Sequence, residues 1–261
     1  GGVIFARVCI LICDMINYRR RDAWNILIGG RVVLGKKKKE SDRIAEVIAH
    51  YEKGMNPMAA TKAFVKEFLD PTPERGDMVY RYEHSLRVAY WGQKIAQGEG
   101  WDEEPLVMAC LLHDVSYPLL RDFEEWPKHP GLSAEIAEKF LEQIGYDKEL
   151  SQSICKAVRI HDRWNDFPED STPFELSVRD ADDLDRFDLM RICMIGRSDI
   201  GELSTAELIE VCDKRLNSLK GDYGRVCGSE TAKALWEERL KMREQFYLGL
   251  KEQMVHTYEM E

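Results

Sequence analysis

The sequence predicts an all-α fold. Apolar residues recur at helical spacing almost continuously from Ser41 onward, strand signals are nearly absent after residue 35, and proline, glycine and capping residues punctuate the chain at helix-length intervals. A chain of 261 residues with 44% hydrophobic and 32% charged content can bury a full core.

The elements follow in order. Residues 1–40 read as a leader, in which the apolar run from Val3 to Cys13 carries Arg7 in its middle and stops at Asp14, too short to span a bilayer. Arg19, Arg20 and Arg21 follow that run rather than precede it, which is the wrong order for a signal peptide, and Lys36 to Lys39 read as a solvated linker. Two N-terminal helices fill 41–75. The first is capped by Ser41, carries Ile44, Val47, Ile48 and Tyr51 on one stripe, and ends at Gly54; the second starts at Asn56-Pro57 and stops before Pro71.

A central core spans 76–200. Its first helix, from about Asp77 to Gln97, places His84 on one face with Val88, Trp91 and Ile95, so His84 points inward. The next, capped by Asp102, is apolar all round from Leu106 to Leu112, as suits the centre of a bundle, and delivers His113-Asp114 at its C-terminal end. A proline-broken loop holds Trp126 and His129. Gly131 to Ile144 is a further helix closed by Gly145, and another begins at Asp147 and brings His161 onto its apolar stripe. Thr172-Pro173-Phe174-Glu175 is a capping box that opens a helix through Asp182. There Phe174, Val178 and Asp182 share the buried stripe, while Asp180, Asp183 and Asp185 are expected to face water. Residues 201–261 supply two more helices that pack on the core, the last long, charged and amphipathic.

The net charge of -10 argues against a nucleic acid polymer or an anionic membrane as partner, because both need a basic surface. A small anion can still bind at a local metal or arginine cluster. Seven cysteines, scattered singly and odd in number, fit reduced thiols in a cytoplasmic protein better than a disulfide framework. The last helix could pack against a second copy in a homo-oligomer.

Four of the six histidines, His84, His113, His129 and His161, lie within or beside apolar helices. Each alone would be an ordinary hydrogen-bonded core residue. His113-Asp114 is different, since an adjacent imidazole and carboxylate at the end of an all-apolar helix need partners or cost several kcal/mol of desolvation. A metal ion satisfies both.

His84, then His113-Asp114, then Asp182, in the contexts Glu83-His84-Ser85-Leu86-Arg87, Leu111-Leu112-His113-Asp114-Val115 and Asp180-Ala181-Asp182-Asp183-Leu184-Asp185, resemble the H…HD…D signature of the HD-domain metal-dependent phosphohydrolase family over roughly residues 76 to 190. The resemblance implies an HD-domain helical bundle with additional N- and C-terminal helices. It also implies one divalent ion held by His84, His113, Asp114 and Asp182. Some members hold a second ion through two further histidines, and His129 and His161 stand in matching places; an orienting or substrate-binding role is the competing reading for both. The cofactor would be Mn, Fe, Co, Ni, Zn or Mg, one ion or two.

On that reading His113 and Asp114 are catalytic through the metal, Glu83 and Asp162 are candidates to relay protons, and Arg87, Lys128 and Arg163 are candidates to bind phosphate. The substrate would be a small phosphate ester such as a nucleotide. Two alternatives are a di-iron oxygenase built on the same ligands and a nucleotide-binding scaffold without turnover.

Overall fold

The computed structural model describes residues 40–121, 124–164, 166–193 and 203–260. The apolar run, the arginine triplet, the lysine run, Cys9 and Cys13 lie outside the described residues. Among the described residues every regular element is a helix. Helix α1 (Glu40–Ile48) is shorter than its apolar stripe suggests, because Tyr51 and Gly54 fall in the turn that follows; Tyr51 is still buried, edge-on to Phe64 and Phe140. Helix α2 (Pro57–Leu69) starts where the Asn56 side chain accepts the amide of Ala59, and it ends at Asp70 in the left-handed conformation (φ 51°).

Helix α3 (Gly76–Glu99) and helix α4 (Glu103–Leu112), capped by the Asp102 side chain, pack closely together. Every side chain of α4 from Pro105 to Leu112 is buried. Leu106, Met108, Leu111 and Leu112 are fully so, and each contributes roughly 1.5–3 kcal/mol, enough together to offset polar groups buried at the helix end. Helix α4 is clasped by α2, α3, α6 (Lys148–Ile160) and α7 (Pro173–Arg186).

A 3-10 turn at Trp126–Lys128 runs directly into α5 (His129–Ile144), so His129 opens a helix instead of sitting in the expected loop. Gly145 closes α5 at φ 69°, a conformation that favours glycine. The capping box at Thr172 is formed, its hydroxyl accepting the Glu175 amide while the Glu175 carboxylate accepts the Thr172 amide. Helix α7 then runs one turn beyond the expected end, to Arg186.

The C-terminal helices are α8 (Thr205–Asp222), opened by a capping box at Ser204, and α9 (Glu230–Glu259). Contacts of Trp236 with Asp222, Tyr223 with Glu244 and Lys251 with Asp213 make them an antiparallel hairpin, and α9 lies against α7 and α3. That hairpin overturns one expectation. Asp180, Asp183 and Asp185 do not face water: α7 is buried from Glu175 to Asp185, because the hairpin and the turn joining its two helices cover the side left open by the core. Arginines neutralise the buried acids. Asp180 accepts from Arg179, Arg225 and the Gly228 amide, Asp183 pairs with Arg225, and Asp185 pairs with Arg87.

The five cysteines among the described residues are free thiols. No helix among them is long and apolar enough to cross a membrane.

Candidate metal centre

His113 and His161 cap the C-terminal ends of α4 and α6, where the last helical carbonyls lack an intrahelical partner. Each ring takes one of those carbonyls: Nδ1 of His113 donates to Cys110 O at 2.6 Å and Nδ1 of His161 to Val158 O at 2.7 Å. His129 does the same from the first turn of α5, donating to Trp126 O at 2.7 Å. His84, in mid-helix, donates Nδ1 to Oδ2 of Asp185 at 2.7 Å. In all four rings an acceptor fixes Nδ1 as the donor and leaves Nε2 aimed into one shared space.

Two carboxylates enter that space. Oδ1 of Asp182 is 3.1 Å from Nε2 of His84 and 3.9 Å from Nε2 of His113. Asp114 divides its oxygens. Oδ2 lies 3.7 Å from His84 and 3.5 Å from His113, whereas Oδ1 lies 3.4 Å from His129 and 3.6 Å from His161. The rings are therefore sorted into two pairs, with Nε2 atoms 3.3 Å apart for His84 and His113 and 3.1 Å apart for His129 and His161. All six residues are at most 3% exposed.

A cation fits this arrangement. Both oxygens of Asp182 are buried without a hydrogen bond, an expensive condition for a carboxylate unless something positive is shared with it. The ligand atoms of His84, His113 and Asp182 all lie within 4.8 Å of one another, as do those of His113, Asp114 and His161. Imidazoles and carboxylates without thiolate suit a divalent ion of the first transition row or magnesium.

The electrostatics point the same way. Burial would raise the Asp114 carboxyl, but His113, His161 and Arg81 outweigh it and hold it well below the usual carboxylate range. Burial is likewise outweighed at Asp182 by Arg186, His84 and His113. Burial lowers His113 and His129 to about 4, so both stay neutral and able to ligate. His84 is raised despite burial by the Asp182 carboxylate that faces its Nε2 and by its bond to Asp185, and His161 by Asp114. Each pair thus joins a ring whose proton affinity is raised by neighbouring carboxylates to one whose proton affinity is lowered by burial.

The structure brings together His84, His113, Asp114, Asp182, His129 and His161. It does not bring in the other residues singled out from the sequence. Glu83 is exposed on the surface of α3, one residue round the helix from the inward His84. Arg87, expected to bind phosphate, is instead committed to Asp185 through a 2.6 Å bond from Nε, because the extra turn of α7 carries that acid under it. Lys128 is exposed beside Glu125, and Arg163 donates to the Asp166 carbonyl from an exposed position. Asp162 stands at the edge of the cluster, 3.5 Å from Arg186.

Sequence reasoning missed four contributors. Arg81 donates to Oδ2 of Asp114 at 2.9 Å and lies 3.4 Å from the centre of the Tyr117 ring. Asp185 orients His84, Arg186 sits over Asp182, and Arg225 pairs with the acids flanking it. Three of these had a readable signal. Arg81 is three residues before His84, and Asp185 and Arg186 are three and four after Asp182, spacings that share a helix face.

A family model described as HD domain matches residues 81–190, the stretch from Arg81 to just past α7 that contains all six clustered residues. Among curated proteins nothing matches. Among solved structures the chain is similar to a predicted HD superfamily hydrolase from an uncultured Thermotogales bacterium, at 20% identity over 78% of this chain and 94% of that chain, with a TM-score of 0.50. That likeness concerns the fold.

Proposed function

We propose that the protein is a metal-dependent phosphohydrolase acting on a small phosphate ester, a nucleotide above all, a reading supported by the match of residues 81–190 to the HD domain. The observation that carries the reading is Asp182, a carboxylate buried without a hydrogen bond to either oxygen and faced by Nε2 atoms of two histidines. His84, His113, Asp114 and Asp182 would hold a divalent ion, which when bound would lower the pKa of a water from 15.7 towards about 7 and polarise a phosphoryl oxygen.

The chain's own groups do the rest. Asp185, Cys110 O, Trp126 O and Val158 O keep the four Nε2 atoms aimed inward. His129 and His161, which face the other oxygen of Asp114, would hold a second ion. Asp162, exposed next to His161 at the edge of the cluster, is the group this reading assigns to proton exchange. Support for a nucleotide comes from the partly exposed Trp126, whose ring meets the buried Tyr117 edge-on at 5.8 Å and whose carbonyl holds His129.

Elemental analysis of the purified protein, followed by a phosphate-release screen of nucleotides and simple phosphate esters with each divalent ion, tests the proposal. The expected result is stoichiometric metal and phosphate release, both abolished by combined His113→Ala and Asp114→Ala. Two irons with oxygen uptake and no phosphate release would overturn it in favour of oxidative chemistry. Ligand affinity that survives the double substitution, without turnover in the wild type, would mark a scaffold.

A further inference from the structure

The arginines around the metal cluster divide into those already engaged and one that is spread thin. Arg81 makes a 2.9 Å bond to Asp114, and Arg87 a 2.6 Å bond to Asp185. Arg186 makes three longer contacts instead: 3.3 Å to Oδ2 of Asp182, 3.5 Å to Oδ1 of Asp162 and 3.6 Å to Oδ1 of Asp183. The first of these is too poorly aligned to count as a hydrogen bond, since Oδ2 of Asp182 has none.

The side chain of Arg186 is 36% exposed, whereas that of Asp182 is 1% exposed, so the guanidinium covers the outer oxygen of the carboxylate from the solvent side. The inner oxygen, Oδ1, is the one that faces His84 and His113. A cation on that inner oxygen takes over part of the charge that now holds Arg186. The guanidinium then has planar, paired N–H donors to offer to a new anion at the solvent side of the cluster, a geometry suited to phosphoryl oxygens.

We propose that Arg186 is the residue that grips the phosphoryl group of the substrate, exchanging its loose contact with Asp182 for one to phosphate. The assignment rests on the phosphohydrolase reading and gives Arg186 the role that the sequence suggested for Arg87, Lys128 and Arg163. Asp162, the other partner of Arg186 at the edge of the cluster, then limits how far the guanidinium can swing.

The test uses protein loaded with manganese and freed of excess metal by gel filtration. Inorganic phosphate is titrated calorimetrically into wild type, Arg186→Gln and Arg186→Lys, and manganese is titrated separately into each metal-free protein. Manganese affinity is expected to stay within about threefold in both variants, while phosphate affinity falls about tenfold or more in Arg186→Gln and less in Arg186→Lys. Unchanged phosphate affinity in Arg186→Gln overturns the assignment. So does loss of manganese along with phosphate in both variants, which would give Arg186 a purely structural role. A wild type that binds manganese but no phosphate overturns the phosphohydrolase reading, and the assignment with it.

Discussion

Nδ1 of His84 donates to Oδ2 of Asp185 across a gap of 101 residues in the chain, at 2.7 Å, and Arg87 holds the other oxygen of that carboxylate at 2.6 Å. The result is a relay from arginine to acid to imidazole that sets the tautomer and direction of a ring in the metal cluster. Asp185→Ala is expected to weaken divalent metal binding about 10- to 100-fold, the usual cost of removing a group that orients a metal-binding histidine. Asp185→Asn, which keeps an acceptor, should lose less. Manganese titration of both variants checks the order; equal affinity across wild type and both variants would deny Asp185 any orienting role.

The helix that carries Asp182 is held from the opposite side by the C-terminal segment. Arg225 reaches Asp180 at 2.9 Å and bonds Asp183, and its guanidinium packs against the rings of both Trp164 and Trp236, 4.7 Å from each. Arg225→Met leaves those buried acids short of a positive charge and should destabilise the protein by about 3–5 kcal/mol. The lower end is favoured, because Asp180 keeps Arg179 and the Gly228 amide. Urea unfolding reads this directly, and a loss below about 1 kcal/mol would show that the pair is solvated in solution.

Gly228 makes the same attachment sterically. A Cβ there would come within 2.7 Å of the Pro173 carbonyl and 2.8 Å of Leu176 Cβ, in the first turn of α7. Neither is the loose end of a flexible side chain, so Gly228→Ala is expected to lower the unfolding midpoint even though the substitution is small.

Much of the cluster was legible because its chemistry is written in local pattern. An imidazole and an acid at the end of an all-apolar helix, and an acid in register with Phe174 and Val178, announce buried charge that needs a partner. The capping residues Asn56, Asp102, Asp147 and Thr172 act where the sequence placed helix starts, whereas Ser41, expected as a cap, lies inside α1, which begins at Glu40. The fate of Asp180, Asp183 and Asp185 was not legible. Helical periodicity assumes one covered face, and α7 is covered all round by a hairpin whose docking depends on arginines more than forty residues away. Arg87 misled for the same reason: its partner lay on a turn of helix that the pattern did not extend.

Asp222, at the end of α8, gives a pH signature separate from the metal cluster. Burial raises its carboxyl to about 6 against the pull of Arg243 and Arg225, with Asp183 pushing the same way as burial. The folded state therefore prefers the neutral acid. Its contribution to stability is fully present below the ordinary value of 3.8 and is lost as pH rises through about 6. Asp222→Asn removes that loss. The variant should match wild type near pH 4 and exceed it in melting temperature at pH 7, and a variant less stable than wild type at pH 7 would contradict the assignment.

Removal of metal should be visible in stability as well as turnover. A cation that binds only the folded state adds RT ln(1 + [L]/Kd), about 2.7 kcal/mol when the free ion is at 100 times its Kd. Wild type treated with a chelator is thus expected to melt lower, and to recover when the right divalent ion is restored. Asp182→Asn keeps the shape of the side chain but removes the buried charge that lacks a hydrogen bond, so its melting temperature should hardly respond to the ion. The contrast between the two proteins is the informative quantity, because a cation acting at scattered surface acids would shift both alike. A wild type indifferent to every divalent ion would overturn the metal reading of the cluster.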